Sequence, residues 1–256
     1  MAAEADTTED PVLGGRLVLR QPKRGHRVGH DAILLAAATE ALPGEQAIEL
    51  GAGVGAAGLA LAQRVSGLNV TLVEIDPALA ALAEENAARN GVASLVRVAV
   101  LDVAASDTEF AKAGIEGGTA ARVLMNPPFN DRARQNVSPD PQRRLAHAAS
   151  TGTLAQWIGR AASLLAPSGT LTLIWRADGL DHVLAAARAD FGGVAVLPIY
   201  PRPHGAAIRI LMRAVKGSRA PLALLPGLTL NDASGQPSIG AEAILRGGDA
   251  LRWQLD

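Results

Sequence analysis

The chain has 256 residues, with 24 Lys and Arg against 25 Asp and Glu, 48% hydrophobic and 3% aromatic residues, and no cysteine. That length suits one α/β domain with appendages or two small domains, and the lack of thiols excludes disulfides and thiolate metal sites. The longest uncharged apolar run near the N-terminus, 32–38, is too short to cross a bilayer. Residues 1–10 carry four acids and no base, the wrong sign for a signal peptide, so a cytoplasmic protein with a disordered acidic tail at 1–10 is expected.

Residues 11–45 read as an N-terminal arm and helix. Residues 12–20 form a short hairpin turning at Gly14-Gly15, a basic loop follows, and Asp31 stands as the N-cap of an apolar helix over 32–41 that Pro43-Gly44 closes. Strand 47–50 runs into Gly51-Ala52-Gly53-Val54-Gly55-Ala56-Ala57-Gly58, whose glycines allow positive φ and close approach of backbone to a ligand, and a helix covers 59–65. Strand 69–75 ends in Glu74-Ile75-Asp76-Pro77. Glu74 lies 23 positions after Gly51, the spacing of an acid that binds ribose hydroxyls in a nucleotide-binding βαβ unit. Asp76-Pro77 suits the cap and first turn of the helix over 78–90. Strand 96–101 ends at Asp102-Val103, an acid for an adenine amine beside an amide N–H and an apolar wall.

The strand over 122–126 stops at Asn126-Pro127-Pro128-Phe129, because proline fixes φ and has no N–H. The Asn126 amide oxygen, the Pro127 carbonyl and the Phe129 ring suit a planar group bearing an NH2: two acceptors hold its N–H groups and the ring stacks on its face. An amine conjugated to a heteroaromatic ring or an amide is a poor nucleophile. Holding its N–H groups aims the nitrogen lone pair at an electrophile without a strong base.

Residues 130–150 read as a basic substrate lid. A helix over 153–165, a strand over 170–176, a helix over 179–190 and strands 194–199 and 207–215 follow, the last two joined through Tyr200-Pro201-Arg202-Pro203-His204-Gly205 as an antiparallel hairpin. The extension 220–256 holds one short helix, 238–246. The nucleotide-binding unit is therefore assigned to 46–219, an α/β Rossmann-like, doubly wound, seven-stranded sheet of five parallel strands and a terminal antiparallel hairpin. The glycine turn and the acids fall at carboxyl strand ends, where such sheets bind ligands.

Charge is segregated along the chain. Segments 16–31, 122–144 and 202–219 hold five bases each and few acids, whereas 40–116 holds eleven acids and four bases. Clustered Lys and Arg point to a polyanion such as RNA, with Arg24, Arg27, Arg132, Arg134 and Arg143 as phosphate contacts. The five histidines show no metal-binding spacing, and no metal is expected.

Gly53 to Gly58 also fits the dinucleotide fingerprint of a nicotinamide dehydrogenase. Asp102, the Asn-Pro-Pro-Phe corner and the terminal hairpin favour a different cofactor. Glu49-Leu50-Gly51-Ala52-Gly53-Val54-Gly55 resembles motif I of class I S-adenosylmethionine-dependent methyltransferases, and Asn126-Pro127-Pro128-Phe129 resembles their amino-methylating motif IV. The run from Arg27 through Gly29-His30-Asp31 to Leu35 is similar to the bacterial tRNA(Val) adenine-N6 methyltransferase family. The resemblance covers roughly 14–215 and implies S-adenosylmethionine at Asp31, Gly51, Ala52, Gly53, Gly55, Glu74, Ile75, Asp102, Val103 and Asn126. It implies catalysis by Asn126, Pro127, Pro128 and Phe129 on an exocyclic amine of an RNA base, with adenine in tRNA the first choice. A ribosomal RNA guanine or a protein glutamine is the alternative acceptor, and a non-catalytic RNA-binding protein on this fold is the bland one.

Overall fold

A computed structural model of the chain describes residues 7–24, 27–128 and 142–253, the side chains of 142–151 excepted. The chain opens with a hairpin of β1 (Thr7–Val12) and β2 (Leu17–Pro22), followed by α1 (His30–Ala38). Alternating elements come next: β3 (Gln46–Leu50), α2 (Ala56–Arg64), β4 (Asn69–Glu74), α3 (Pro77–Arg89), β5 (Val96–Val100), α4 (Asp107–Lys112) and β6 (Ala120–Met125). They continue with α5 (Gln142–Leu164), β7 (Leu165–Arg176), α6 (Leu180–Ala187), β8 (Phe191–Tyr200) and β9 (Arg209–Lys216). Short strands β10 (Ala223–Leu224) and β11 (Leu228–Thr229) and helix α7 (Ile239–Leu245) close the described chain.

The main sheet runs β10-β8-β9-β7-β6-β3-β4-β5, with β11 also on β8. Strands β3 to β7 pair in parallel and β9 lies antiparallel between β7 and β8. The expected five parallel strands and terminal hairpin are thus present, extended to nine strands by the C-terminal residues. Strands this apolar must be covered on both faces. Along β6, Val123 and Met125 join Phe110, Leu154, Ile158 and Val183 on one side, and Leu124 joins Leu34, Leu59 and Leu72 on the other. The chain builds β3, β4 and β5 outward, then returns to place β6 on the far side of β3, so the order reverses between β3 and β6.

Several local expectations change. Residues 7–10, expected in a disordered tail, are strand β1, and β2 is held to α3 by two asparagines one turn apart. Asn86 Oδ1 accepts from Arg20 N (2.7 Å) and its Nδ2 donates to Arg20 O (3.0 Å) and Val54 O (3.1 Å). Asn90 exchanges the same pair of bonds with Val18. These side chains satisfy a strand edge that has no further strand beside it among the described residues. Asp31 does not cap α1, whose N-cap is Gly29. Asp76 does cap α3, accepting from Ala78 N at 2.8 Å. Residues 142–150 are helical in α5 rather than loop, and the rest of the expected lid, 130–141, lies outside the described residues. The extension packs on the main unit: Leu251 N donates to Ala37 O (2.8 Å) and Trp253 Nε1 to Ala38 O (2.8 Å), covering α1.

Because Asn86 is fully buried and serves three backbone groups, Asn86→Ala leaves them unsatisfied. Denaturant unfolding should show a loss of about 2–4 kcal/mol, with cofactor affinity of the folded protein kept.

Candidate active site

Parallel pairing brings the carboxyl ends of β3, β4, β5 and β6 to one rim. In the β3/β6 register Leu50 faces Met125, so Gly51 and Asn126, each the next residue, leave the sheet side by side, about 5 Å apart by strand spacing. The turn after β3 is tied to β4, since Gly51 N and Ala52 N both donate to Val73 O at 2.9 and 3.0 Å. Gly51, Gly53 and Gly55 have φ of 70°, 56° and 87°, the left-handed region that glycine enters without a Cβ penalty. At Gly51 space is decisive as well, because a Cβ there would overlap the indole of Trp157 on α5.

Glu74 ends β4 with its carboxylate drawn into this turn. Its Oε2 accepts from Gly53 N (2.7 Å) and its Oε1 from Asp76 N (2.9 Å). Each oxygen keeps a further lone pair for a hydroxyl donor. Ile75, next in the chain, is 60% exposed and offers an apolar face at the same rim. Asp102 is exposed and accepts from Ala104 N through Oδ1 (2.8 Å). Val103 is buried in the core with Phe110 and Met125, so its side chain braces the loop from below instead of forming an open wall.

Asn126 follows the last residue of β6. Its Oδ1 is shielded from solvent and accepts no hydrogen bond from any described residue. A buried acceptor without a donor costs free energy, and a ligand N–H arriving at the rim beside Gly51 relieves that cost. Pro127 is buried and Pro128 exposed, while Phe129 lies outside the described residues.

The remaining expectations divide. Asp31 is half-buried and its Oδ2 accepts from Arg209 Nε at 2.9 Å, an ion pair joining α1 to β9 near the rim. The expected phosphate contact Arg27 is engaged within the chain, with Asp10 at 2.7 Å and Thr8 Oγ1 at 3.1 Å. Arg24 is exposed; Arg132 and Arg134, and the side chain of Arg143, lie outside the described residues. Several other bases of the three clusters are engaged the same way. Arg20 pairs with Glu85, Arg122 with Glu45 and Arg213 with Glu40. Among the described residues no group of His, Asp and Glu could hold a metal, and no helix is long and apolar enough to span a membrane. A concavity of about 350 Å³ lined by Gln46, Asn69 and Arg97 opens at the amino ends of β3 to β5, the edge opposite all of these groups.

The family model of the methyltransferase small domain matches residues 27–197. The chain belongs to this family. It is a class I S-adenosylmethionine-dependent methyltransferase, which removes the dehydrogenase reading. A Porphyromonas gingivalis protein named tRNA1(Val) (adenine(37)-N6)-methyltransferase is 33% identical over 191 residues, covering 72% of each chain. A Shewanella protein of the same name is 28% identical over 84% of this chain and 88% of its own. Among solved structures, a predicted O-methyltransferase of Agrobacterium tumefaciens superposes with a TM-score of 0.73 at 28% identity, over 88% of this chain and all of that one. A Thermus thermophilus 16S rRNA N2 methyltransferase in complex with AdoMet and guanosine superposes at 0.53 and 21% identity, over 86% of this chain and 48% of its own, a likeness of fold.

One functional-looking group was not singled out from the sequence. Glu49 in motif I is buried under α2, where its Oε2 accepts from Gly58 N at 2.7 Å. Burial pushes its carboxyl up from 4.5 to about 8, opposed by the Gly58 bond and reinforced by the Glu74 charge. It therefore holds its proton at neutral pH. A raised carboxyl stabilises the fold fully below pH 4.5 and loses that contribution as pH climbs to about 8. Glu49→Gln, neutral throughout, should match the wild type near pH 4.5 and exceed it increasingly up to pH 8. At alkaline pH the gap should reach about 3–5 kcal/mol by denaturant unfolding, then stay level.

Proposed function

We propose that this protein methylates an exocyclic amine of an RNA base, adenine in tRNA being the first choice. The observation that carries the proposal is the Oδ1 of Asn126, solvent-shielded, without a partner among the described residues, and standing next in register to Gly51. The names of the Porphyromonas and Shewanella relatives agree with it. Gly51, Ala52, Gly53, Glu74, Ile75 and Asp102 share the rim with Asn126, and they fit a nucleoside joined to an amino-acid-like tail. Glu74 takes the ribose hydroxyls, Ile75 lies against the adenine face and Asp102 takes its amine. S-adenosylmethionine, when bound there, supplies an electrophilic methyl on its sulfonium sulfur.

The chain's own part is to hold the acceptor. Asn126 Oδ1 and the Pro127 carbonyl accept the two N–H bonds of the target amine and direct its lone pair. The Pro-Pro corner keeps these oxygens out of sheet pairing, and Phe129 stacks on a base withdrawn from its neighbours. An amide side chain cannot take a proton from a hydroxyl, so the corner fits an amine acceptor better than the O-methyl label carried by the Agrobacterium structure. With tRNA as substrate, the enzyme works in the cytoplasm. Arg24, Arg132, Arg134 and Arg143 are offered to phosphates, and Arg27 contributes there only by exchanging Asp10 for a phosphate.

Incubation with labelled S-adenosylmethionine and separate tRNA, ribosomal RNA and protein fractions should put label in tRNA, recovered as N6-methyladenosine after digestion. Label in guanosine or glutamine would overturn the acceptor assignment. Asn126→Ala should lower the transfer rate about 10²-fold or more, the cost of losing one positioned polar group, with cofactor affinity by calorimetry nearly unchanged. A normal rate in that variant would remove Asn126 from the chemistry.

A further inference from the structure

We infer that Arg160, on α5, is a positioning residue for the adenine side of the cofactor site. The inference rests on the reading that Asp102, at the head of the 102–107 loop, meets the adenine. Arg160 reaches across that loop from outside the β-strands. Its Nε donates to Val103 O at 3.2 Å, its Nη2 donates to Ala105 O, and its Nη1 meets Asp107 and Ser163 Oγ. The guanidinium lies 4.3 Å from the ring centre of Phe110, which is 1% exposed, and stacking on an aromatic face fixes its plane. One planar cation thus holds two loop carbonyls, of Val103 and Ala105, at a set height, which the fork of arginine can do and the single head of lysine cannot.

From below, the loop is braced by the buried Val103 side chain, and at its far end the capping box of Ser106 and Glu109 joins it to α4. On its inner side Leu101 N donates to Glu74 O (2.9 Å), and within it Ala104 N and Ala105 N bond back to Asp102. Its outer carbonyls are those taken by Arg160. Helix α5 also carries Trp157, whose indole lies where a Cβ on Gly51 would be. A single rigid element therefore touches the glycine turn and the adenine-side loop, fixing the distance between the two halves of the site. Asp107, by contrast, has its side chain 86% exposed, and an ion pair that exposed contributes little.

The test is calorimetric binding of S-adenosylhomocysteine and of adenosine to the full-length protein, with no acceptor present. Arg160→Ala should weaken both by the same factor, about tenfold, in line with the loss of charge-assisted hydrogen bonds. Equal factors place the defect in the adenosine half, whereas loss confined to S-adenosylhomocysteine would overturn the inference. Arg160→Lys keeps the charge over Phe110, and should restore thermal stability while recovering only part of the affinity. Wild-type affinity in either variant would overturn the inference, and the lysine variant decides if the alanine variant does not fold. Asp107→Ala should bind within about twofold of wild type; a loss equal to that of Arg160→Ala would make the surface ion pair the cause and sink the clamp. Binding without acceptor separates this from the choice of substrate. Failure of the unmodified protein to bind S-adenosylhomocysteine would count against the proposed function itself.

Discussion

The site depends on the pairing of β3 with β6. These strands are distant in sequence and adjacent in space, because the sheet reverses its order between them. Their register aligns Leu50 with Met125, so the two chain segments that leave the sheet next are a glycine turn and an asparagine followed by two prolines. A parallel strand shifted by one residue would turn every side chain to the other face. Val123, Leu124 and Met125 are all completely buried, on alternating faces, so such a shift is opposed by the whole core. The position of the Asn126 oxygen is thus a consequence of apolar packing several residues away.

Electrostatics at the rim follow the same economy. Two carboxylates sit close to the glycine turn under different conditions. Glu74 is met by two backbone N–H groups, which orient its two oxygens within the turn. Glu49 is met by one N–H, in a place where burial outweighs it and the proton stays on. The first can serve hydroxyl donors; the second ties α2 to β3 in its neutral form.

Helix α5 gives the site its third support. Trp157 bears on the glycine turn and Arg160 on the loop after β5, and one side of the same helix fills the core through Leu154, Ile158 and Ala161. The C-terminal extension plays a comparable part on the opposite face. It adds β10 and β11 to β8 and lays Trp253 over the end of α1, the helix that carries Asp31.

The alternation of short apolar strands with helices, the glycine turn, the acids at strand ends and the Asn-Pro-Pro corner were all legible in the chain. Each is a local matter of backbone freedom and periodicity: glycine where φ is positive, proline where pairing stops, Asp76 where a helix begins. Long-range pairing was not legible. Arg27 looked available for phosphate until the hairpin brought Asp10 to it, and Asp31 looked like a cap until β9 brought Arg209. The hairpin itself reached back into residues expected to be loose, because Asn86 and Asn90 supply an edge that no local signal reveals. Arg160 was one more polar residue on a helix until folding set it against two carbonyls and a ring. Backbone conformation depends on neighbours in sequence and can be read from them. The partner of a charge depends on which surfaces the core draws together, and only the tertiary structure decides that.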